Sequence, residues 1–359
     1  MPFTPGNHSF FFRPVPKISD LIGASIQHKL DFKTKPKGSL GRLEEIALHI
    51  GSIQNTLEPK LEKPTLFIFA ADHGIAQEGV SAYPQEVTYQ MVLNFLHGGA
   101  AANVLARQGN IDLEIIDAGV NFDFGVPEGL INQKVGKGTK NFSKEPAMTE
   151  LELLECLKRG KELAKNNYAE GTNLLAFGEM GIANTSSSSL LTHLLTGTPL
   201  ENCVGSGTGL SPKGIQNKVF VLQKSLDRFH QDFPSPGLMD VFRNFGGFEI
   251  LMMAGAMLEA GSLGMTLVVD GFISSSAFLC AYYIEPGILD YTLFSHLSEE
   301  RGHIFQLSYL KKRPLLELGL RLGEGTGALL SIPLIRSSLA ILNEMASFDS
   351  AGVSQKEGK

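Results

Sequence analysis

The glutamate at position 324 is the side chain best suited to chemistry in this 359-residue sequence. It lies between Gly323 and Gly325, with the apolar residues Leu322 and Ala328 nearby. A carboxylate in a partly dry pocket has a raised pKa and becomes a usable general base near neutral pH. Glu324 would also be favourable simply as a first-turn residue of a helix, where its charge meets the positive end of the helix dipole. From the residues alone, both interpretations stay open.

Three glycine-rich loops, at 178–185, 205–209 and 323–327, have the composition of anion-binding segments. Each precedes a predicted helix, so backbone N–H groups and the positive end of the helix would face a bound phosphate. Lys218 lies in the helix predicted after the second loop and would add a full positive charge. None of the loops matches GxxxxGK[ST] or GxGxxG, so no particular nucleotide is indicated. For any single loop, a flexible turn that starts a helix is the alternative.

Four short apolar runs predict the strands that position these residues. Each run is followed closely by a carboxylate and a glycine, at the sheet edge where ligands bind in open α/β folds. Such pairs are also common as turns and helix caps, so only the four together favour a site along that edge. Stretches with helical spacing separate the runs, which predicts βαβ units and a Rossmann-like parallel sheet flanked by helices. The runs and their acids are 66–70 with Asp72, 113–116 with Asp117, 174–177 with Glu179, and 267–269 with Asp270.

The two ends of the chain have no strand pattern, and we predict that they are helical. One end is the segment before Pro64. The other follows about Pro314, where closely spaced leucines at 315–320 precede an amphipathic stretch from 328 to 345. We therefore predict a large α/β domain over residues 64–312. The prediction for the remainder is a smaller helical domain, discontinuous in sequence, formed by residues 1–63 and 313–359.

Composition argues against several classes of protein. The formal net charge of −6 makes nucleic acid an unsuitable partner, because phosphate backbones require a basic surface. The three cysteines are far apart and form no CxxC pair, which fits a reducing cytoplasm. The nine histidines lack HxxxH or HExxH spacing, so no metal is predicted, and His73 is expected to be a buried, hydrogen-bonded structural residue. We predict neither a signal peptide nor a membrane segment.

Asp270 follows three apolar residues, as in the ribose-binding motif of transferases that use phosphoribosyl pyrophosphate. That motif needs a second adjacent acid, and Gly271 occupies the position instead. The sequence therefore predicts no pyrophosphate donor and no accompanying magnesium ion.

Many separate motifs lie in order over roughly residues 20 to 350. They are KPKGSLGRL at 35–43, DHG at 72–74, GVSAYPQEVT at 79–88, GGAA at 98–101, GEMGI at 178–182, GTGL at 207–210, VDGF at 269–272, SH at 295–296, RLGEGTGA at 321–328 and LNEMA at 342–346. Together they resemble the nicotinate-nucleotide:dimethylbenzimidazole phosphoribosyltransferase family. The resemblance implies a Rossmann-like large domain, a small domain assembled from both termini, a homodimer, and no metal or organic cofactor. It also implies displacement of nicotinate from C1′ of nicotinate mononucleotide by a ring nitrogen of 5,6-dimethylbenzimidazole, which gives α-ribazole 5′-phosphate with inverted anomeric configuration.

The resemblance assigns roles position by position. Glu324 corresponds to the catalytic base, which takes the proton from the attacking benzimidazole. Ser81 and Gln90 correspond to the pocket for the aromatic base, and Glu179 corresponds to a second acid of the site. The remaining substrate-binding positions, the first four of them contacts to phosphate and ribose, are Gly181, Gly207, Thr208, Lys218 and Gly323.

Two positions depart from the family pattern and bear on donor binding. Ala183 stands where the family often has glycine, and Ser206 stands where it often has arginine. A non-catalytic sensor of nucleotides or benzimidazoles is therefore the alternative function, although the intact Glu324 argues against it. A nicotinamide-dependent oxidoreductase is disfavoured by the missing fingerprint. The identity of the acceptor base is not encoded in any readable motif.

Overall fold

The computed structural model describes residues 3–6 and 12–354 and has a six-stranded sheet at its centre. All neighbouring strands are parallel, in the order β3-β2-β1-β4-β5-β6. This is the strand order of Rossmann folds, in which ligands bind where the order reverses, between β1 and β4. The predicted α/β class is thus confirmed. The strands are β1 Thr65–Ala71, β2 Asp112–Gly119, β3 Leu130–Asn132, β4 Leu174–Met180, β5 Thr266–Val269 and β6 Thr292–Phe294.

All four apolar runs form strands, as predicted. The sequence did not reveal β3 and β6, which have three residues each and are too short for a hydrophobic period to be visible.

Helices cover both faces of the sheet, because alternate residues of the central strands point to opposite sides. In β1, Phe67 and Phe69 belong to one core, whereas Leu66 and Ile68 belong to the other. The helices are α1 Asp20–Asp31, α2 Arg42–Ile53, α3 Val87–Leu96, α4 Ala101–Gly109, α5 Glu150–Ala169, α6 Asn184–Thr196, α7 Leu200–Cys203, α8 Pro212–Asp232, α9 Leu238–Phe245, α10 Phe248–Ser262, α11 Phe272–Ile284, α12 His303–Leu310, α13 Thr326–Glu344 and α14 Phe348–Ala351, with 3₁₀ helices at Gly74–Glu78 and Pro286–Tyr291.

Helices from the two chain ends pack together. Ile26 and Leu30 of α1, Ala47 of α2 and Leu342 of α13 share a small core. However, α13 also packs Leu329 and the residues after it into the core below the sheet. The division into domains of 64–312 and 1–63 with 313–359 stays a prediction, and residues 1–2, 7–11 and 355–359 of the smaller one lie outside the described part of the chain.

The prediction of helix for the leucine-rich segment at 315–320 is wrong. This segment is extended and runs beside the strand end of β6, where Leu316 donates its N–H to Ser295 O at 2.9 Å and its carbonyl accepts the N–H of Leu297 at 2.9 Å. The edge of a sheet presents unpaired backbone groups, and these hold the chain extended more effectively than its weak helical preference.

The helix predicted from the amphipathic stretch at 328–345 is present as α13. By length and composition alone, α13 is apolar enough to cross a membrane, but more than half of it is buried inside the protein against the sheet and neighbouring helices. Its apolar character therefore belongs to the core.

Candidate active site

A cavity opens at the carboxyl ends of β4 and β5. This is the edge that the strand-ending carboxylates predicted. Its walls come from the loops after β4, β5 and β6, from the loop before α8 and from the loop before α13. The fold therefore brings together all three glycine-rich loops. The predicted site residues that line the cavity are Glu179, Gly181, Gly207, Thr208, Gly323 and Glu324.

Glu324 lies in an unusual backbone conformation directly before α13. Its φ is +61°, between Gly323 at +82° and Gly325 at +77°. A left-handed conformation costs a non-glycine residue about 1–2 kcal/mol, so the surrounding packing must hold it in place. Gly178 of β4 provides this close packing, because a Cβ at that position would lie 2.6 Å from the Gly325 nitrogen. The packing of the turn against β4 therefore holds Glu324 where its side chain lines the cavity.

The environment of Glu324 suits a general base. The side chain is only 6% exposed, and burial, with a smaller effect from Asp270, raises its pKa to about 7. The N–H of Ala102, in the first turn of α4, donates to the carboxylate, whereas Oε2 has no partner within the described residues. One oxygen is thus held and the other is free to take a proton. The alternative interpretation, in which Glu324 is simply a favourable first-turn residue of a helix, does not fit. Glu324 precedes α13, and its carboxylate accepts a hydrogen bond from α4 instead.

Glu179, at the end of β4, is the second buried acid of the cavity. Asn184 donates to its Oε2 at 2.5 Å. Burial, opposed by this hydrogen bond and supported by nearby acids that include Glu324, raises the pKa of Glu179 to about 8. Glycine is favoured at position 323, because its φ is +82° and a Cβ there would displace Oε1 of Glu179. Glu179 is therefore largely protonated at neutral pH and can donate as well as accept a hydrogen bond.

A buried lysine lies next to the cavity, behind two of its lining residues, Thr185 and Gly207, although it does not itself line the cavity. Lys218 of α8 is fully buried, and its Nζ donates to Oγ1 of Thr185 at 2.7 Å. Burial lowers the pKa of Lys218 to about 8, although the nearby Glu300 acts in the opposite direction. A Cβ on Gly207 would lie 3.7 Å from this Nζ, so the cation sits directly behind the 205–209 loop. An anion bound in the cavity would pair with this ammonium group and offset the free-energy cost of burying its positive charge.

The predicted pocket for the aromatic base is only partly assembled around this cavity. Oγ of Ser81 lies 3.4 Å from Oγ1 of Thr208, which places Ser81 at the rim. Gln90 is exposed on α3 and does not line the cavity. The roles of Ser81 and Gln90 in binding the base stay predictions.

The two departures from the family pattern lie outside the cavity lining. Ala183 has a φ of +74°, and its methyl group is buried in the apolar core. Ser206 is half-buried, and neither residue is among those that line the cavity. Their side chains therefore do not narrow the space for a donor.

The structure adds cavity residues that the sequence did not identify as a group. Asp270 lies after β5 and His296 after β6, and Nδ1 of His296 is 3.7 Å from Oδ1 of Asp270. Glu300 and Arg321 also line the cavity. Asp270, His296 and Arg321 lie in motifs of the family resemblance, VDGF at 269–272, SH at 295–296 and RLGEGTGA at 321–328, but these motifs did not indicate that the three side chains share one cavity.

His73 is confirmed as a buried structural histidine. It is fully buried, and its Nε2 lies 2.6 Å from Oε1 of Glu249, which is also fully buried. Within residues 3–6 and 12–354, no group of three or more His, Cys, Asp or Glu side chains is arranged to hold a metal ion.

Comparison with known proteins defines the class of this chain. A family model described as phosphoribosyltransferase matches residues 15–353, so the chain belongs to this phosphoribosyltransferase family.

Particular relatives carry a more specific name. Nicotinate-nucleotide–dimethylbenzimidazole phosphoribosyltransferase of Dechloromonas aromatica (strain RCB) is 52% identical over 336 residues, which is 94% of this chain and 97% of the relative. The protein of that name from Bacteroides fragilis (strain YCH46) is 48% identical over 95% of this chain and 98% of its own. A crystal structure of CobT from Thermus thermophilus matches with a TM-score of 0.89 and 44% identity, covering 94% of this chain and all of that one.

Proposed function

We propose that this chain transfers the phosphoribosyl group of nicotinate mononucleotide to 5,6-dimethylbenzimidazole or a related base. The products are α-ribazole 5′-phosphate and nicotinate, and the reaction serves synthesis of the lower ligand of cobalamin. Relatives at about half identity over nearly the whole chain carry the name of this activity. The observation that carries the proposal is Glu324, a carboxylate with a pKa of about 7 held in the cavity by backbone packing.

The donor binds through its 5′-phosphate at the Lys218 end of the cavity. The ammonium group of Lys218 lies behind Gly207 and contacts Thr185 in the first turn of α6, and Gly207, Thr208 and Thr185 line the cavity there. Such groups favour an anion because backbone N–H groups and the helix dipole add to the full charge of lysine. Phosphate binding fixes C1′ of the ribose towards the acids at the other end.

Glu324 then acts as the base in the transfer. As the ring nitrogen of the acceptor bonds to C1′, the glycosidic bond to nicotinate breaks, and Glu324 removes the proton of the other ring nitrogen. Loss of this proton raises the nucleophilicity of the attacking nitrogen. C1′ gains positive character during the exchange, and a nearby carboxylate such as that of Glu324 stabilises this charge electrostatically.

The remaining expectations belong to the same proposal. The enzyme acts as a homodimer in the cytoplasm, needs no cofactor and binds neither nucleic acid nor membranes. The alternative of a non-catalytic sensor has no supporting observation, since Ala183 and Ser206 leave the cavity lining intact. A competition assay among candidate bases would identify the physiological acceptor.

The test is a direct assay with a matched variant. Purified protein is mixed with nicotinate mononucleotide and 5,6-dimethylbenzimidazole, and α-ribazole phosphate is measured by chromatography and mass spectrometry. Glu324→Gln keeps the shape of the side chain but removes the base, so kcat should fall about 10²- to 10⁴-fold while the aromatic base still binds. Absence of product from the unchanged enzyme would refute the proposed function. Full activity of Glu324→Gln would refute only the assignment of the base.

A further inference from the structure

Asp270 is a buried carboxylate of the cavity that the proposed reaction does not require as acid, base or donor contact. It follows β5 directly and is 1% exposed. The sequence does not support a role in binding a pyrophosphate donor, because the neighbouring acid of that motif is absent. The cost of burying an ionised carboxylate implies that its partners compensate for it.

The partners of Asp270 are the backbone N–H groups at the start of α13. Ala328 N donates to Oδ1 at 3.0 Å, and the N–H groups of Gly325 and Gly327 also donate to this carboxylate. The helix has no cap of its own, since its N-cap residue is Gly325, which has no side chain. Asp270 therefore satisfies N–H groups that a cap residue normally satisfies, but it does so from a different strand of the sheet.

The capped turn is the one that carries Glu324. Three successive residues, Gly323 to Gly325, have left-handed backbone conformations. Such a turn does not persist unless the structure around it fixes both of its ends. On one side it is pressed against β4, and on the other its N–H groups are bound by Asp270.

We propose that Asp270 is a positioning residue for Glu324: by accepting the first N–H groups of α13, it anchors the 323–327 turn to the end of β5 and aims the base into the cavity. The inference rests on the proposed function, in which Glu324 is the base. Asp270 acts through Glu324 and not on the substrate.

Asp270 also contributes a negative charge close to Glu324, and this charge raises the pKa of Glu324 beyond the effect of burial. The other charged or titratable groups of the cavity are Glu179 on β4, His296 after β6, Glu300 near Lys218, and Arg321 before the turn. Removal of the Asp270 charge should therefore lower the pKa of Glu324.

The experiment compares Asp270→Ala and Asp270→Asn with a control at another strand end. Asp117→Asn is the control, because Asp117 is a buried acid near the carboxyl end of β2 that accepts the N–H of Val120 at 2.9 Å but does not line the cavity. We expect Asp270→Ala to lose about 10²-fold in kcat, since a shift of about 1 Å in a catalytic group has that effect, with a much smaller change in donor KM. Asp270→Asn, which can still accept the Ala328 N–H, should recover part of kcat and move the acidic limb of the pH profile to lower pH. Asp117→Asn should change neither.

Two results would overturn the inference. A rise in donor KM with unchanged kcat in Asp270→Ala would make Asp270 a substrate contact, and unchanged kinetics in both Asp270 variants would leave it without a role. A crystal structure of Asp270→Asn or Asp270→Ala gives a readout that does not depend on turnover. If the 323–327 turn keeps its position in Asp270→Ala, the inference fails even when the unchanged enzyme is active. If the turn moves but the unchanged enzyme makes no product, only the proposed function fails.

Discussion

Gly178→Ala is the sharpest test of how the fold positions its base. Gly178 lies in β4 and is not among the residues with a left-handed backbone, so alanine fits the backbone itself. The added Cβ, however, would lie 2.6 Å from the nitrogen of Gly325 and 2.7 Å from the carbonyl carbon of Glu324. The substitution therefore acts on the turn that carries the base without altering any group that touches substrate.

The size of the effect follows from these distances. Ordinary contact between such atoms requires about 3.5 Å or more, so the turn must retreat by roughly 1 Å. We expect the turn to move and the strand to stay in place, because β4 is hydrogen-bonded to β1 on one side and to β5 on the other. Overpacking of this kind costs about 1–3 kcal/mol of stability, and a misplacement of about 1 Å lowers the rate by about 10²-fold.

The assay measures kcat and both KM values with nicotinate mononucleotide and 5,6-dimethylbenzimidazole, together with the melting temperature. Gly23→Ala, a substitution in α1, is the matched control. Its Cβ would lie 3.6 Å from Oγ of Ser52, and alanine in a helix gains up to about 1 kcal/mol over glycine. A folded Gly178→Ala enzyme with unchanged kcat would refute the claim that close packing on β4 places Glu324.

Further predictions concern the charges of the cavity. The rate should rise with pH through about 7, because Glu324 with its raised pKa is protonated below that value and cannot accept a proton; a kcat profile that is flat from about pH 5 to 8 would contradict this. Lys218→Met should raise the donor KM about 10- to 100-fold, as expected for loss of a charged hydrogen bond to phosphate, and should also lower the melting temperature, because it leaves the buried carboxylate of Glu300 without its opposite charge. Steady-state kinetics and differential scanning calorimetry test the second prediction, and an unchanged donor KM would remove Lys218 from the phosphate site.

The sequence alone determined the fold class and the edge on which the site lies. Four apolar runs, each closed by an acid and a glycine, indicated parallel strands and a ligand edge at Asp72, Asp117, Glu179 and Asp270. These features are local, because buried strands and turns are recognised from the residue types at consecutive positions. The family resemblance added the proposed role of Glu324, but it did not reveal the burial that raises the pKa of this carboxylate to about 7.

Only the tertiary structure decided which of these acids act together. Glu179 and Asp270 meet Glu324 at one cavity, whereas Asp117 pairs with Lys134 at 3.0 Å, away from it. The tertiary structure also decided that the leucine-rich segment at 315–320 is extended and hydrogen-bonded to the chain after β6, although its local sequence pattern predicted a helix. Burial, raised pKa values and the capping of one segment by a residue of another depend on distances between residues far apart in the chain, and no pattern of consecutive residues contains those distances.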